Sequence, residues 1–448
     1  METSKTEDWD DWVPVITEPG MPLKLVAWRQ TLSEKAKQDK KYRFYSLYSL
    51  VTHPDTLKWA WKLVRRNKGA PGVDRVTFKQ IEQQEGGVER FLGELEKELK
   101  GKTYRAKPVR RVYIEKENGK LRPLGIPTIK DRVVQMAVKL IIEPIFEADF
   151  NDCSYGYRPG RSAQDAIRSI QGHLKEGKNE IYDADLSGYF DSIPHDKLTE
   201  CLRMRIVDGS VLRLIRQWLK APVVDATEKG KPPKVTRNDK GTPQGGVISP
   251  LLANLYLHWF EVVLLKELKR EHLAAGIVRY ADDFVVLARE LPDTLKAFIE
   301  EKLEGWMGLR INREKTRCVN LKEEGQRLDF LGYGLRYYRD LQGRPWKYLN
   351  VSPSPKAIKR ERVKLKAMTN KRQCCTPIPE LIVRINRQLR GWSNYYGHGY
   401  PRQAFRNINH YVEERLIRHL NRRSQRKYKL PGGLGYHQQL IKLGLIIL

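Results

Sequence analysis

Ile277-Val278-Arg279-Tyr280-Ala281-Asp282-Asp283-Phe284-Val285-Val286-Leu287 is the stretch on which the reading of this chain turns. Two adjacent carboxylates stand between short apolar runs, a pattern of strand, tight turn and strand with the acids at the turn. Adjacent carboxylates repel each other, and a fold tolerates them best with a cation between them. A solvated Asp-Asp turn is the alternative, and it is common in soluble proteins. A third acid far upstream weighs against it. Ile181 to Leu186 reads as a strand with acids at its end, inside Asp185-Leu186-Ser187-Gly188-Tyr189-Phe190-Asp191.

The 448 residues suffice for two or three domains with cores of their own. A formal charge of +29 excludes the ordinary metabolic enzyme acting on neutral substrates and points to a polyanion. The charge is uneven. Residues 351–448 hold 21 Lys+Arg against 4 Asp+Glu, so the last quarter carries more than half of the excess. The first twenty residues are acidic, with Glu2, Glu7, Asp8, Asp10, Asp11 and Glu18. Five scattered cysteines without C-x-x-C spacing argue for a reducing compartment and against structural zinc. No signal peptide and no membrane-spanning run is visible, so a cytoplasmic location without membrane contact is expected.

Residues 42–66 read as one helix and Val88 to Lys100 as another. Arg110 to Glu115 and Lys120 to Leu124 read as a hairpin around Asn118-Gly119, with Lys116 and Arg122 near its tip. Helices are expected over Asp131 to Phe146, Val211 to Lys220 and Pro250 to Lys269. The last is introduced by Gly241-Thr242-Pro243-Gln244-Gly245-Gly246. Prolines 345, 353 and 355 mark the passage to a basic helical tail. The expected division is a polar extension at 1–40, an α/β body at 41–345, a helical domain at 346–425 and a short basic segment at 426–448.

Carboxylates on rigid elements suit transfer of a nucleotidyl group, because two divalent ions can then flank the reacting phosphate. Magnesium wants oxygen ligands and keeps several waters, so a few carboxylates suffice. Here the chain resembles a family. The blocks around Asp185, Gly241 to Gly246 and Tyr280 to Asp283 are similar to the palm of a reverse transcriptase. The likeness is closer still to bacterial group II intron-encoded proteins. Further blocks follow in order: Asn67 to Asp74, Arg122 to Thr128, Asp131 to Gln135, Ser154 to Ala163, Gly308 to Asn312 with Lys315, and Phe330 to Tyr333. Gly391-Trp392-Ser393-Asn394-Tyr395-Tyr396 resembles the signature of the maturase thumb. The resemblance runs from about residue 58 to residue 425.

That resemblance implies an α+β right-hand polymerase, with fingers, a palm built on an antiparallel sheet, and an all-α thumb. It implies RNA-directed DNA synthesis with two Mg²⁺ ions, or Mn²⁺ in their place. Asp185, Asp282 and Asp283 match the catalytic carboxylates, and Leu186 joins them in the metal set. Lys116 and Arg122 match cations that grip the incoming dNTP, with a solvated basic hairpin as the alternative and Lys120 as a competitor. Phe190 matches the gate that excludes a 2′-hydroxyl, and Gln244 a residue lining the nucleotide pocket. Lys315 matches a lysine near the leaving pyrophosphate, although a solvated lysine fits equally. Arg158 and Arg161 are expected either on template or primer phosphate or in structural ion pairs. Arg418, Arg422, Arg423, Arg426, Lys427 and Lys429 are the candidate phosphate contacts of the tail. Trp392 and Tyr395 are expected inside the thumb.

The implied partners are a group II intron RNA, an RNA template with its DNA primer, and target DNA. The oligomeric state is left open. Unlike fuller relatives, the chain has no Cys/His-rich endonuclease cluster, so a primer made elsewhere is expected. Two other functions fit parts of the pattern. One is a splicing factor without polymerase activity. The other is a domesticated reverse transcriptase in phage defence or CRISPR adaptation.

Overall fold

A computed structural model describes residues 18–115, 119, 121–225, 233–339, 347–424 and 428–448. The expectations for Lys116, Lys120, Asn118, Arg426, Lys427 and the acids before residue 18 lie outside these described residues. The chain divides into two compact units. The first holds residues 1–162, 184–286 and 291–316, and the second holds 163–183, 287–290 and 317–448.

In chain order the described strands begin with β1 (Val109–Glu115), β2 (Leu121–Ile126), β3 (Glu180–Ala184), β4 (Val223–Asp225) and β5 (Lys234–Thr236). They continue with β6 (Ala275–Tyr280), β7 (Asp283–Ala288), β8 (Arg317–Asn320), β9 (Leu328–Phe330), β10 (Tyr333–Arg339) and β11 (Lys347–Pro353).

In the first unit, β1 and β2 form an antiparallel pair that puts Arg122 opposite Ile114. β4 joins β1 in parallel, and β5 completes a four-stranded sheet in the order β2-β1-β4-β5. The helix Ile129–Glu147 follows the β1–β2 hairpin in the chain and is buried on nearly every face. It starts where Thr128 accepts from the Asp131 amide at 3.1 Å, satisfying one of the free donors of the first turn. The helices Leu23–Gln38 and Pro54–Arg66 pack against it. A second long helix, Ser249–Arg270, is buried along most of its length. Each large apolar side chain so buried contributes about 1.5–3 kcal/mol.

The single helix expected over 42–66 is corrected to two, Tyr48–Val51 and Pro54–Arg66. Pro54 lacks the amide that would continue the first helix and instead opens the second, where His53 accepts from the Asp55 amide at 3.2 Å. Residues 42–47 ahead of the first of these helices are not helical, and Phe44 bridges to Ile206. The acidic leader enters the described structure at Glu18, which pairs with Arg66 at 2.7 and 3.1 Å.

In the second unit, β3 and β8 pair antiparallel, and β9, β10 and β11 form an antiparallel meander. The helical region follows as Pro355–Met368, Ile378–Tyr396 and Arg402–Arg422, with a short helix at Tyr436–Lys442. Trp392 and Tyr396 are buried in it, and Tyr395 is half-buried. The Leu331-Gly332 turn lies against these tyrosines. Tyr395 donates to the Leu331 carbonyl at 3.0 Å, and a Cβ on Gly332 would come within 2.4 Å of the Tyr396 hydroxyl.

Candidate active site

The acids of the opening stretch sit where the alternation of apolar residues places them. β6 and β7 are almost wholly buried, and the turn between them carries Ala281 and Asp282. Ala281 has φ +59°, a left-handed conformation that a side chain other than glycine adopts only when its surroundings hold it there. Two contacts hold it. Gly156 presses backbone to backbone on the turn, such that a Cβ there would lie 2.4 Å from the Ala281 nitrogen. Beneath, the Arg279 guanidinium donates to the Ala281 carbonyl at 2.9 Å and to Asn254 Oδ1 at 2.9 Å.

Arg279 is 0 % exposed and forms an ion pair with the equally buried Glu261. Burial opposes the Glu261 charge, but Arg279 and His258 outweigh it and hold the carboxyl below its usual range. Asn254 donates onward to the Gly156 carbonyl at 2.7 Å, and Asn151 donates to Glu261 at 3.2 Å. The Ser154–Ala163 block is thereby tied to the turn. Its backbone also runs beside β6, with Tyr155 donating to the Arg279 carbonyl at 2.9 Å.

Asp185 follows β3 directly, and residues 310–316 hold its backbone. Asn312 donates to the Asp185 carbonyl at 2.8 Å, Ser187 donates to the Arg310 carbonyl at 2.8 Å, and Leu186 bridges to Ile311. The Gly308–Asn312 block therefore positions the first acid as the Ser154–Ala163 block positions the second. Lys315 reaches both oxygens of the Asp185 carboxylate, at 2.9 and 3.1 Å.

The Asp185 charge acts on Asp282. Burial, and then the Asp185 charge, raise the Asp282 carboxyl above its usual range, while Arg122 and Arg279 pull it back. Arg122 on β2 is thus one of the charges that act on Asp282. Asp283 is exposed and opens β7. Among the described residues no set of three or more His, Cys, Asp or Glu side chains forms a ready metal cage. The ligands on offer are nevertheless oxygens alone: the carboxylates of Asp185 and Asp282, with the backbone of Leu186 next to Asp185 in the chain. Their mutual repulsion is the electrostatic demand a divalent ion meets, and such a set suits magnesium.

Beside the acids, the segment from Gly241 to Gly246 threads between two backbones. Thr242 donates to the Phe190 carbonyl at 2.7 Å, and Gly125 of β2 donates to the Gln244 carbonyl at 2.6 Å. Gln244 Nε2 reaches Asp191 at 3.2 Å, and Gln135 accepts from the Val247 amide at 2.8 Å. Phe190 is half-buried, with Tyr157 edge-on at 6.5 Å and Tyr189 at 5.6 Å. Tyr157 is largely exposed at φ +58°, and partial desolvation and the Asp282 charge push its pKa up.

The remaining cations divide. Arg158 is 7 % exposed and engaged by Glu147 at 2.9 Å and by the carbonyls of Asn151 and Ser154. The structural ion pair, not a phosphate contact, describes its placement. Arg161 pairs with Asp152 and lies over the Tyr155 ring. In the tail, Arg422 and Arg423 donate to the carbonyls of Thr369 and Thr376. Arg418 and Lys429 are exposed.

Arg279, Glu261, Asn254, Gly156 and Tyr157 went unmarked as site residues. Arg279 reads as one charged residue in an otherwise apolar strand, and that lone charge is the signal the sequence offers.

Residues 114–335 match the family "Reverse transcriptase (RNA-dependent DNA polymerase)", and residues 358–432 match "Group II intron, maturase-specific domain". The fold and site thus define a reverse transcriptase, an RNA-directed DNA polymerase of the right-hand α+β class. Protein YkfC of Escherichia coli K12 is 35% identical over 373 residues, covering 75% of this chain and 93% of YkfC. The group II intron-encoded protein LtrA of Lactococcus lactis subsp. cremoris is 29% identical over 377 residues, covering 69% of this chain and 60% of LtrA. Within the reverse transcriptases, the chain belongs to the group II intron-encoded proteins that carry a maturase domain. A solved Cas6-RT-Cas1–Cas2 complex is 24% identical over 58% of this chain and 41% of that chain, with a TM-score of 0.35. Among the described residues no helix is long and apolar enough to cross a membrane.

Proposed function

We propose that this chain copies a group II intron RNA into DNA and binds the same RNA to assist its splicing and retrohoming. The observation that carries the polymerase reading is that Asp185, held at the end of β3 by residues 310–316, acts by its charge on Asp282 in the β6–β7 turn, 97 residues away in sequence. Asp185, Asp282 and Asp283, with Leu186, are the residues to hold two Mg²⁺ or Mn²⁺ ions. Bound there, the ions would favour the 3′-alkoxide and steady the triphosphate.

The protein's own groups do the rest. Arg122, with Lys116 on the same hairpin, draws in the dNTP triphosphate. Phe190 closes the sugar side of the pocket, and the Gly241–Gly246 backbone brings Gln244 to the nucleotide. Lys315 neutralises Asp185 in the absence of substrate, and its ammonium can turn to the leaving pyrophosphate once another cation takes the carboxylate. Arg161, Arg418, Arg422, Arg423, Arg426, Lys427 and Lys429 are the proposed contacts to template, primer, intron RNA and target DNA phosphates. The setting proposed is the bacterial cytosol, as for the Lactococcus and Escherichia relatives.

The test is primer extension on an RNA template with Mg²⁺, beside an assay of intron splicing. Extension that Asp282→Ala abolishes supports the reading. A protein that aids splicing but extends no primer would be a splicing factor, and the polymerase reading would fall.

A further inference from the structure

We infer that the outer face of the β10–β11 hairpin is a stacking shelf for the bases of single-stranded nucleic acid. Antiparallel pairing sets Tyr338 opposite Tyr348, and their rings stack with centroids 6.1 Å apart and planes 26° apart. Tyr400 joins them edge-on, 6.5 Å from Tyr348. Its placement is built into the backbone. The Tyr400 amide donates to the Val351 carbonyl at 2.7 Å, and Gly399, at φ +84°, lies so close that a Cβ would come within 2.3 Å of that carbonyl oxygen. The inner face of the same hairpin buries Tyr333, Leu335 and Val351, so the three outer rings are not needed for that core.

Exposures of 44 %, 41 % and 61 % leave Tyr338, Tyr348 and Tyr400 open to solvent as one cluster. Clustered exposed aromatics mark a binding surface more often than single ones do. The charge beside them selects the partner. Arg336, two residues before Tyr338 on the same face, lies 5.1 Å from the Tyr338 ring and has no carboxylate partner among the described residues. Arg402, two residues after Tyr400, is exposed. Aromatic rings on the open face of a sheet, with cations to follow a backbone, are the arrangement on which unpaired bases stack. Duplexes keep their bases in the stack and do not fit it.

The inference takes from the polymerase reading only that the chain handles nucleic acid. Its test uses the full chain with 12-mers of oligouridylate or oligothymidylate carrying a 5-iodopyrimidine, which cross-links to a stacked ring on irradiation. Cross-links mapped to Tyr338, Tyr348 or Tyr400 are expected, and the arm that yields them says whether RNA or DNA is held. The variant with all three tyrosines changed to leucine, checked for fold by circular dichroism, is expected to bind the single strand about tenfold more weakly or worse. Its salt dependence should be unchanged, because stacking releases no counterions. Cross-links confined to other residues, with affinity unchanged in the leucine variant, would overturn the shelf. Primer extension by the same preparation reads the polymerase separately. Activity without shelf cross-links removes the shelf alone, and cross-links without activity remove only the polymerase.

Discussion

Asp282 carries a charge that its surroundings resist, since burial and Asp185 both raise its pKa. A carboxyl with a raised folded pKa contributes stability at low pH that is lost as pH rises through that value. Ionising Asp282 in the metal-free protein therefore costs stability. Asp282→Asn is expected to raise the melting temperature in EDTA at pH 7 while abolishing extension. The gain should shrink toward the unfolded carboxylate value of about 3.9. A lower melting temperature for the variant would show that the acid is instead stabilised where it sits. Arg122 opposes the rise, so removing its charge should move the acid limb of the pH–rate profile to higher pH. Arg122→Gln measured beside the unmutated enzyme checks the direction. The Arg279–Glu261 pair is the opposite case, in which each charge is stabilised by the other. Arg279→Met leaves Glu261 buried without its guanidinium, with only Asn151 and His258 to hold its charge, at a cost of about 3–5 kcal/mol in urea unfolding. The double variant with Glu261→Gln should recover part of that loss.

At the scale of elements, the β6–β7 turn is held by a neighbour rather than by its own sequence. Gly156 meets backbone atoms there, with Ala281 N at 2.4 Å and the Tyr280 carbonyl carbon at 2.9 Å from an added Cβ. Backbone cannot swing aside as a side chain can, so Gly156→Ala must displace the turn. A shift of about 1 Å at reacting groups costs on the order of 10²-fold in rate. We expect that loss in kcat, with the change in melting temperature too small to explain it. Gly172 serves as the control, because it lies in the helix Ala163–Lys175 and an added Cβ meets nothing within 4 Å. Gly172→Ala should stabilise the protein by about 0.5–1 kcal/mol and leave the rate unchanged. Most elements were legible because their signals are local. Val88 to Lys100 is found as Gly87–Lys100, and Pro250 to Lys269 as Ser249–Arg270. The helix expected over 42–66 failed at a local signal that was passed over, Pro54, whose missing amide ends one helix and starts the next.

For the whole molecule, +29 charges imply that RNA affinity falls steeply with salt. A loss on the order of 10³ or more between roughly 50 and 200 mM salt is expected if six or more phosphates are neutralised. Filter binding over that range measures the slope. Arg418→Gln and Lys429→Gln should each flatten it by about 0.7 on a single strand, and an unchanged slope would remove those residues from the interface. The sequence alone determined that the protein binds a polyanion, that Asp185 and Asp282 end rigid apolar elements, and that Arg122 lies near a hairpin tip. Each of these follows from composition, alternation or turn chemistry within a short window. Only the tertiary structure decided which charges look inward. Arg158 and Arg279 are as basic on paper as Arg418, yet Glu147 and Glu261 hold them inside the protein. It also decided that Gly156 supports the turn, and that Tyr338, Tyr348 and Tyr400 share one face. Burial and pairing depend on neighbours that lie from about ten to more than a hundred residues away, and the side of the fold each charge faces is set by the packing of whole elements.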